Sequence, residues 1–270
     1  MDFTLSLHDL HFILTGALVG LCVGLTGVGG GSLMTPLLSL QGIPLQTAIG
    51  TDLLYAAISK TGGSAVHARY RNINWRIVFT LAAGSLPAAM LTVWGLKHLF
   101  PDAKSYKHIL TLVLGMMIMV TALSLLLRPW IQRRLQAGAG PVHSALRERL
   151  NQHSTTATVA MGVALGVLVT LSSVGAGVFG VMVLVAIYPT LPMIRIIGTD
   201  VAHAVALTLV AGLGHLTMGN VDWHLLYILL VGSLPMIMIG THWSSRMPEN
   251  IIRVLLGTTL LLLSLKFMFA

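Results

Sequence analysis

The chain has 270 residues, of which 55% are hydrophobic and only 9% are charged, with a formal net charge of +8. A soluble globular domain carries about 25% charged residues, so the composition excludes a water-exposed globular protein and indicates an integral membrane protein. The basic excess does not indicate nucleic-acid binding, because the charges fall in short segments between long apolar runs and form no basic motif.

The first half of the chain is predicted to contain four long apolar units, of which the first is broken. Residues 11–41 begin as a helix and are interrupted by a glycine-rich run at residues 27–32, which disfavours a continuous helix. A loop is expected over residues 41–50, and a helix from about residue 51 to residue 68. Two further spans of membrane-crossing length are expected at residues 77–96 and 109–127.

A polar segment at residues 128–153 separates the two halves and is predicted to be a cytoplasmic linker, because it is rich in arginine. The chain therefore divides into a first transmembrane repeat at residues 1–127, this linker, and a second transmembrane repeat at residues 154–270. In the second repeat, an apolar unit at 157–187 breaks near residues 172–177. Further helices are expected at residues 199–218, 224–244 and 252–268.

The two halves repeat each other at a constant spacing of 148 residues, the distance from residue 67 to residue 215. Gly50-Thr51-Asp52 returns as Gly198-Thr199-Asp200, and His67 returns as His215. Two homologous apolar halves are typical of secondary transporters, in which the substrate site lies where the repeats meet.

The number of crossings in each half decides how the halves are oriented. If the broken unit crosses once, the halves are parallel; if it forms a hairpin, each half has five segments and the halves are inverted. The hairpin puts all eleven arginines on the cytoplasmic side, whereas a single crossing leaves Arg195, Arg246 and Arg253 outside. Charge bias therefore favours an all-α membrane protein of two inverted repeats, with 8 to 10 transmembrane segments that include broken or re-entrant helices.

The two breaks are the first candidate substrate site. A break inside a membrane frees backbone groups, and the N-terminus of the helix that follows attracts anions. The alternative is that small residues allow helices to pack closely. The candidate substrate-binding residues at the breaks and at the predicted helix starts are Gly29, Gly30, Gly31, Ser32, Thr51, Ser173, Gly175, Gly177 and Thr199.

Ionisable residues within the apolar runs complete the candidate site. Lys60 lies in the middle of a predicted helix, where a charge is costly and usually functional. Its alternative role is to extend towards the membrane surface. His67, His203 and His215 are further candidate substrate ligands, with the alternative that each is a satisfied buried or interfacial side chain.

Asp52 and Asp200 are the candidates for proton coupling. An ionised carboxylate would repel an anion bound at the same helix N-terminus, so one of the two is expected to be protonated when substrate binds. The alternative is helix capping, because Gly-Thr-Asp is ordinary chemistry for a helix start. Asp200 and His203 are three residues apart, and we expect them to share a helix face and form a hydrogen-bonded pair.

A set of small motifs runs through the first half, and most of them return in the second: Gly27-x-Gly29-Gly30-Gly31, Pro36, Ala48-x-Gly50-Thr51, His67, Trp75 and Gly84-Ser85-x-Pro87. Together they resemble the TauE/SafE membrane transporters, the sulfite exporter family, over about residues 11–268. The resemblance implies a plasma-membrane carrier of sulfur-containing anions such as sulfite or organosulfonates. The second half departs from the pattern, with Val178 and Phe179 in place of two glycines, which fits an asymmetric site.

The sequence therefore predicts a secondary transporter that exports a small anion, held near broken helices at the repeat interface. The alternatives are an intramembrane enzyme and an anion channel. Ser32 lacks the following glycine of a rhomboid-type Gly-x-Ser-Gly nucleophile, and only flux measurements separate a channel from a carrier. No nucleotide-binding loop and no metal-ligand spacing is present, so neither a cofactor nor a metal is expected. The expected partners are the anion and the lipid bilayer, and the chain is compatible with a homodimer.

Overall fold

The computed structural model describes residues 7–26, 31–100, 103–136, 154–175, 177–244 and 249–269. Within these ranges the chain forms ten α-helices and no strand. Seven of the helices in this part of the chain are long and apolar enough to cross a membrane. The prediction of an all-α, multi-pass membrane protein is confirmed.

Each repeat contains five helices. Those of the first repeat are α1 (Leu7–Thr26), α2 (Gly31–Leu40), α3 (Leu45–Arg69), α4 (Trp75–Leu99) and α5 (Ala103–Gln136). Those of the second repeat are α6 (Ser154–Ser172), α7 (Val178–Ile187), α8 (Met193–Thr217), α9 (Trp223–Ser244) and α10 (Glu249–Phe269). α2 and α7 have only 10 residues each, about 15 Å of helix, which is roughly half the thickness of a bilayer's hydrocarbon core.

The predicted break in the second repeat is confirmed by the end of α6 and the start of α7. Ser173, Gly175 and Gly177 between these helices all have positive φ angles, of 59°, 118° and 142°. Such angles end a helix and are unusual for serine, which has a side chain to accommodate. In the first repeat α1 ends at Thr26 and α2 begins at Gly31, and the residues between them, with Gly29 and Gly30, lie outside the described ranges.

α3 and α8 begin earlier than the sequence predicts. α3 starts at Leu45 rather than near Thr51, and α8 starts at Met193 rather than near Thr199. A proline occupies the N-cap position of each helix and fixes its start: Pro44 and Pro192.

This shift corrects two expectations about the site. Thr51, Asp52 and their counterparts lie inside their helices, so the prediction that a helix N-terminus at Thr51 binds the anion is wrong. The alternative that Asp52 and Asp200 are capping residues is wrong for the same reason.

The segment expected to be a linker is partly helical, because α5 continues to Gln136. The rest of that segment, residues 137–153, lies outside the described ranges.

α1 packs along α9 through glycines. A side chain at Gly16 or Gly24 would overlap the backbone of α9. The contacts follow the same order on both helices, from Gly16 beside Leu229 to Gly24 beside Ile237, so α1 and α9 run parallel. Glycine allows this approach because it has no side chain to separate the two backbones.

α4 packs along α6 in the same way. Leu81 lies beside Gly162, and Ser85 lies beside Gly166, so these helices also run parallel. The first helix of each repeat therefore packs on the fourth helix of the other repeat. This contact adjoins the largest cluster of buried apolar side chains, centred on Leu81, Leu110, Leu165 and Leu207.

The third helices of the two repeats, α3 and α8, pack against each other in opposite directions. Leu54 of α3 lies beside Gly212 of α8, whereas His67, further along α3, lies beside Gly198, near the start of α8. The two equivalent helices are therefore antiparallel.

The fifth helices, α5 and α10, are also antiparallel. Gly115 lies beside Met268, and Leu126 lies beside Gly257.

Candidate functional site

Asp52 and Asp200 lie in the interior of the molecule, on equivalent turns of α3 and α8. Their exposed fractions are 0% and 1%. A carboxyl group buried among apolar helices is costly to keep ionised, so its neighbours decide what it does.

Asp52 is surrounded by hydroxyl groups. The Thr35 hydroxyl of α2 donates a hydrogen bond of 2.6 Å to Asp52 Oδ2. Ser173, at the break of the other repeat, approaches the same carboxyl group. Asp52 Oδ1 and Ser173 Oγ are nevertheless buried without a hydrogen-bond partner among the described residues, which is unusual for buried polar atoms.

Asp200 has a different environment. Its Oδ1 lies against the backbone of Gly180, in the first turn of α7, so closely that any side chain at Gly180 would overlap it. This oxygen is buried and has no hydrogen-bond partner among the described residues. The space beside α7 is filled by the carboxyl group itself.

Lys60 lies on α3, about two turns after Asp52. Gly63 lies one turn further along α3, and a methyl group placed on it would be 4.0 Å from Val201 Cγ1. This part of α3 therefore runs beside the turn of α8 that carries Asp200. Lys60 lies within electrostatic range of both carboxyl groups. Its side chain is half-buried.

The sequence predicted a hydrogen-bonded pair of His203 and Asp200, but His203 pairs with a different residue. Its Nε2 is 2.8 Å from Ser85 Oγ of α4, and its Nδ1 has no hydrogen-bond partner among the described residues. The expected pair is wrong because Ser85, from the opposite repeat, is the nearer partner for the imidazole.

The equivalent pair in the other half is Tyr55 and Ser233. Tyr55 stands where His203 stands in the second repeat, and Ser233 stands where Ser85 stands in the first. The two side chains are neighbours, and both hydroxyl oxygens are buried without a hydrogen-bond partner among the described residues. Sequence reasoning missed Tyr55, although its alignment with His203 was a usable signal.

Thr51 and Thr199 use their hydroxyl groups to hold the repeats together. Thr51 Oγ1 accepts a hydrogen bond of 3.1 Å from the backbone N–H of Asp222, and Thr199 Oγ1 accepts one of 2.9 Å from that of Asn74. Each bond joins a helix of one repeat to the loop before the fourth helix of the other. These contacts stabilise the crossing of the repeats, whether or not the same hydroxyls meet a substrate.

His67 and His215 lie at the same crossings. His215 is fully buried, and its Nε2 donates a hydrogen bond of 2.9 Å to the carbonyl of Thr170. His67 is half-buried against Gly198. Both histidines lie in the last turns of their helices, and their assignment as substrate ligands stays a prediction.

The inner site combines one lysine, two carboxyl groups and several hydroxyls. Ser32, in the first turn of α2, is also buried. Among the described residues no group of three or more histidines, cysteines and carboxylates is placed to hold a metal ion. A lysine and free hydroxyl donors suit the oxygens of an anion, and the carboxyl groups suit a proton.

Comparison with known proteins gives a consistent result. The sequence profile of the sulfite exporter TauE/SafE family matches residues 12–267. The chain is 36% identical to the probable membrane transporter protein YjnA of Bacillus subtilis, over 96% of this chain and 99% of that protein. It is 28% identical to the probable membrane transporter protein YdhB of the same organism, over 89% of this chain and 92% of that protein. No solved structure matches the chain significantly.

Proposed function

Because the chain belongs to the TauE/SafE family of membrane transporters, we propose that it is a secondary transporter that exports small sulfur-containing anions, such as sulfite or organosulfonates, across the plasma membrane. The observation that carries the proposal is that Lys60 lies on the helix of the buried Asp52 and beside the turn of α8 that carries the buried Asp200. The buried hydroxyls of Tyr55, Ser173 and Ser233, which have no hydrogen-bond partner among the described residues, support it further. The description of the matched family supports the substrate class.

The proposed architecture is a pair of inverted repeats. The antiparallel contacts of α3 with α8 and of α5 with α10 support it, because parallel repeats would align equivalent helices. Gln41, just after α2, donates a hydrogen bond of 2.9 Å to Thr15 of α1, so the chain turns back beside α1 after the break. This supports the hairpin arrangement, which places every arginine on the cytoplasmic side.

The proposed anion site lies among Lys60, Tyr55, Ser173 and Ser233. Lys60 supplies a positive charge, and the three hydroxyls supply donors that are buried and unused by the described residues. A sulfite or sulfonate group has three oxygens that accept such hydrogen bonds. Burial makes each unmet donor costly, so a ligand or water that satisfies it is stabilised.

The proposed coupling ion is a proton carried by Asp52, Asp200 or both. An anion that enters this site would meet two carboxyl groups in a region of low dielectric, where repulsion between like charges is strong. Protonation of a carboxyl group removes that repulsion, so proton binding favours anion binding.

Flux into proteoliposomes tests the proposal. Sulfite and a panel of organosulfonates would be offered to the wild-type protein and to Lys60→Ala, with and without a pH gradient. We expect saturable flux that depends on the gradient and that falls at least tenfold in Lys60→Ala. Lys266→Ala is the matched control, because Lys266 lies on an exposed turn of α10.

Two results would contradict the proposal. Flux that does not saturate with concentration would indicate a channel. Absence of flux for every sulfur anion would remove the substrate class, and an equal loss in Lys60→Ala and Lys266→Ala would remove Lys60 from the site.

A further inference from the structure

We propose that the two equivalent aspartates have different functions. Asp200 carries the transported proton: its carboxylate is neutralised in turn by an ion pair with Lys60 and by the proton. Asp52 keeps one protonation state throughout the cycle. This inference rests on the proposed anion transport and narrows it to one carboxyl group.

The first argument is the difference in hydrogen-bond donors. Asp52 receives the Thr35 hydroxyl and lies near the Ser173 hydroxyl. The residues at the equivalent positions in the other repeat are Val183 and Leu25, which have no polar atom in the side chain. At these two equivalent positions, Asp200 therefore has no counterpart of the hydroxyl groups beside Asp52. A buried carboxyl group without donors is stable either when it is protonated or when a cation is beside it.

The second argument is the position of the cation. Lys60 has no counterpart in the second repeat, where Thr208 occupies the equivalent position and bonds to the Ala204 carbonyl of its own helix. Lys60 lies beside the turn of α8 that carries Asp200.

The remaining titratable groups around Asp200 are few. Its own helix contributes His203, which is bonded to Ser85, and α3 contributes Asp52 and also His67, which lies against Gly198. α6 and α7 contain no titratable side chain. The titratable groups of α4 lie at its ends and are exposed: Arg76, Lys97 and His98. Lys60 is therefore the group that responds directly to the charge of Asp200.

The charges then define a cycle. With Asp200 ionised, Lys60 pairs with it, and the pair is neutral. A proton taken up from water neutralises Asp200, and Lys60 then pairs with one anion in its place. Release of the anion and the proton on the other side restores the ion pair. One proton thus moves with each anion in the same direction, and transport of a monovalent anion is electroneutral.

The experiment compares Asp200→Asn with its matched control, Asp52→Asn, in proteoliposomes that contain a pH-sensitive dye. Sulfonate flux driven by its own gradient and the accompanying proton flux are recorded together. In the wild-type protein we expect about one proton for each anion. Asp200→Asn imitates the protonated state permanently, so it should exchange anions while the proton flux falls to background and the pH dependence disappears.

Asp52→Asn should keep the ratio of one proton to one anion, at a lower rate if the loss of the Thr35 bond weakens the fold. Asp200→Glu, which restores a titratable group, should recover coupled flux. Thermal stability of each variant in detergent distinguishes a lost function from a lost fold.

The inference is overturned if Asp200→Asn keeps the wild-type ratio of protons to anions, or if Asp52→Asn alone loses that ratio. It is also overturned if a stable Asp200→Asn protein exchanges no anion and Asp200→Glu does not recover coupled flux. Wild-type protein that moves sulfonate without any proton also overturns the inference, but leaves the proposed anion transport intact. Wild-type protein that moves no sulfur anion overturns the proposed function itself.

Discussion

α3 and α8 are equivalent helices of 25 residues each, yet the second half of each lies in a different environment. On α8, Val93 of α4 fills the space beside Gly214 and is only 9% exposed. On α3, Val66 occupies the position equivalent to Gly214 and is 56% exposed. A side chain at Gly62, one turn earlier, would meet nothing within 4 Å. The fourth helix of the opposite repeat thus covers α8 but leaves α3 open.

The difference shows that two repeats with the same helices have different conformations. In transporters built from repeats, one repeat moves against the other around a fixed site, which opens one side of the membrane at a time. The open half of α3 ends at Arg69, followed by Arg71 in the next loop. The exposed face therefore extends along the C-terminal half of α3 towards these arginines.

The largest effect is expected from locking the closed contact. In a Cys22→Ser background, cysteines at positions 93 and 214 should form a disulfide, because a Cβ atom on Gly214 would lie 3.1 Å from that of Val93, close to the range of about 3.5–4.5 Å in disulfides. We expect oxidation to abolish transport almost completely and reduction to restore it. Flux in oxidised and reduced proteoliposomes measures the effect.

The control is the equivalent pair in the open region, Val66→Cys with Thr241→Cys. This pair should form a disulfide only during transport, when α9 approaches α3. A protease site inserted into residues 137–153 makes both bonds visible, because cross-linked halves stay together on a non-reducing gel. Full transport by the cross-linked 93–214 protein would show that the closed contact does not need to open.

A second contrast is between a glycine that lies against the backbone of another helix and a glycine that has open space beside it. Gly232→Leu would force a side chain into the carbonyl of Ile13 on α1, and we expect a loss of about 1–3 kcal/mol in stability, as for overpacked cores. Gly62→Ala should instead stabilise the protein by up to about 1 kcal/mol, because alanine favours a helix and the space is open. Thermal unfolding in detergent measures both. Equal effects of the two changes would contradict the difference in contacts.

The smallest contrast concerns the two equivalent serines. Ser85→Ala removes the hydrogen bond to the buried His203 and should cost about 1–3 kcal/mol. Ser233→Ala removes a hydroxyl that has no partner among the described residues, so it should cost less in stability but weaken anion binding. Thermal unfolding with and without sulfonate tests this, and the idea fails if Ser233→Ala binds anion as tightly as the wild-type protein.

The breaks and the helical repeat were predictable because their causes are local. Glycine clusters interrupt helices wherever they occur, and a spacing of 148 residues aligns α3 with α8 directly. The starts of these helices were predicted wrongly because Gly-Thr-Asp resembles a helix cap. Gly50 is needed instead for a contact with the Asn220 carbonyl of the other repeat, and no local pattern reveals a contact so distant in sequence.

The inner site was predicted only in part. Lys60, Asp52 and Asp200 were found because a charge within an apolar run is conspicuous. Thr35 and Ser233 were missed because single hydroxyls are common in membrane helices, and their importance depends on which carboxyl group or hydroxyl lies next to them. The assignment of the predicted glycines and histidines as substrate ligands stays a prediction.

The parallel contact of α1 with α9 also determines the order in which the protein is assembled. α1 is synthesised first, but the surface that covers Gly16, Gly20 and Gly24 arrives only when the ninth helix has been made. The first repeat must therefore remain in the membrane with its glycine face unmatched during most of translation. Each repeat completes the contacts of its first and fourth helices only with the other repeat, so we expect a separately expressed repeat to be less stable than the whole chain.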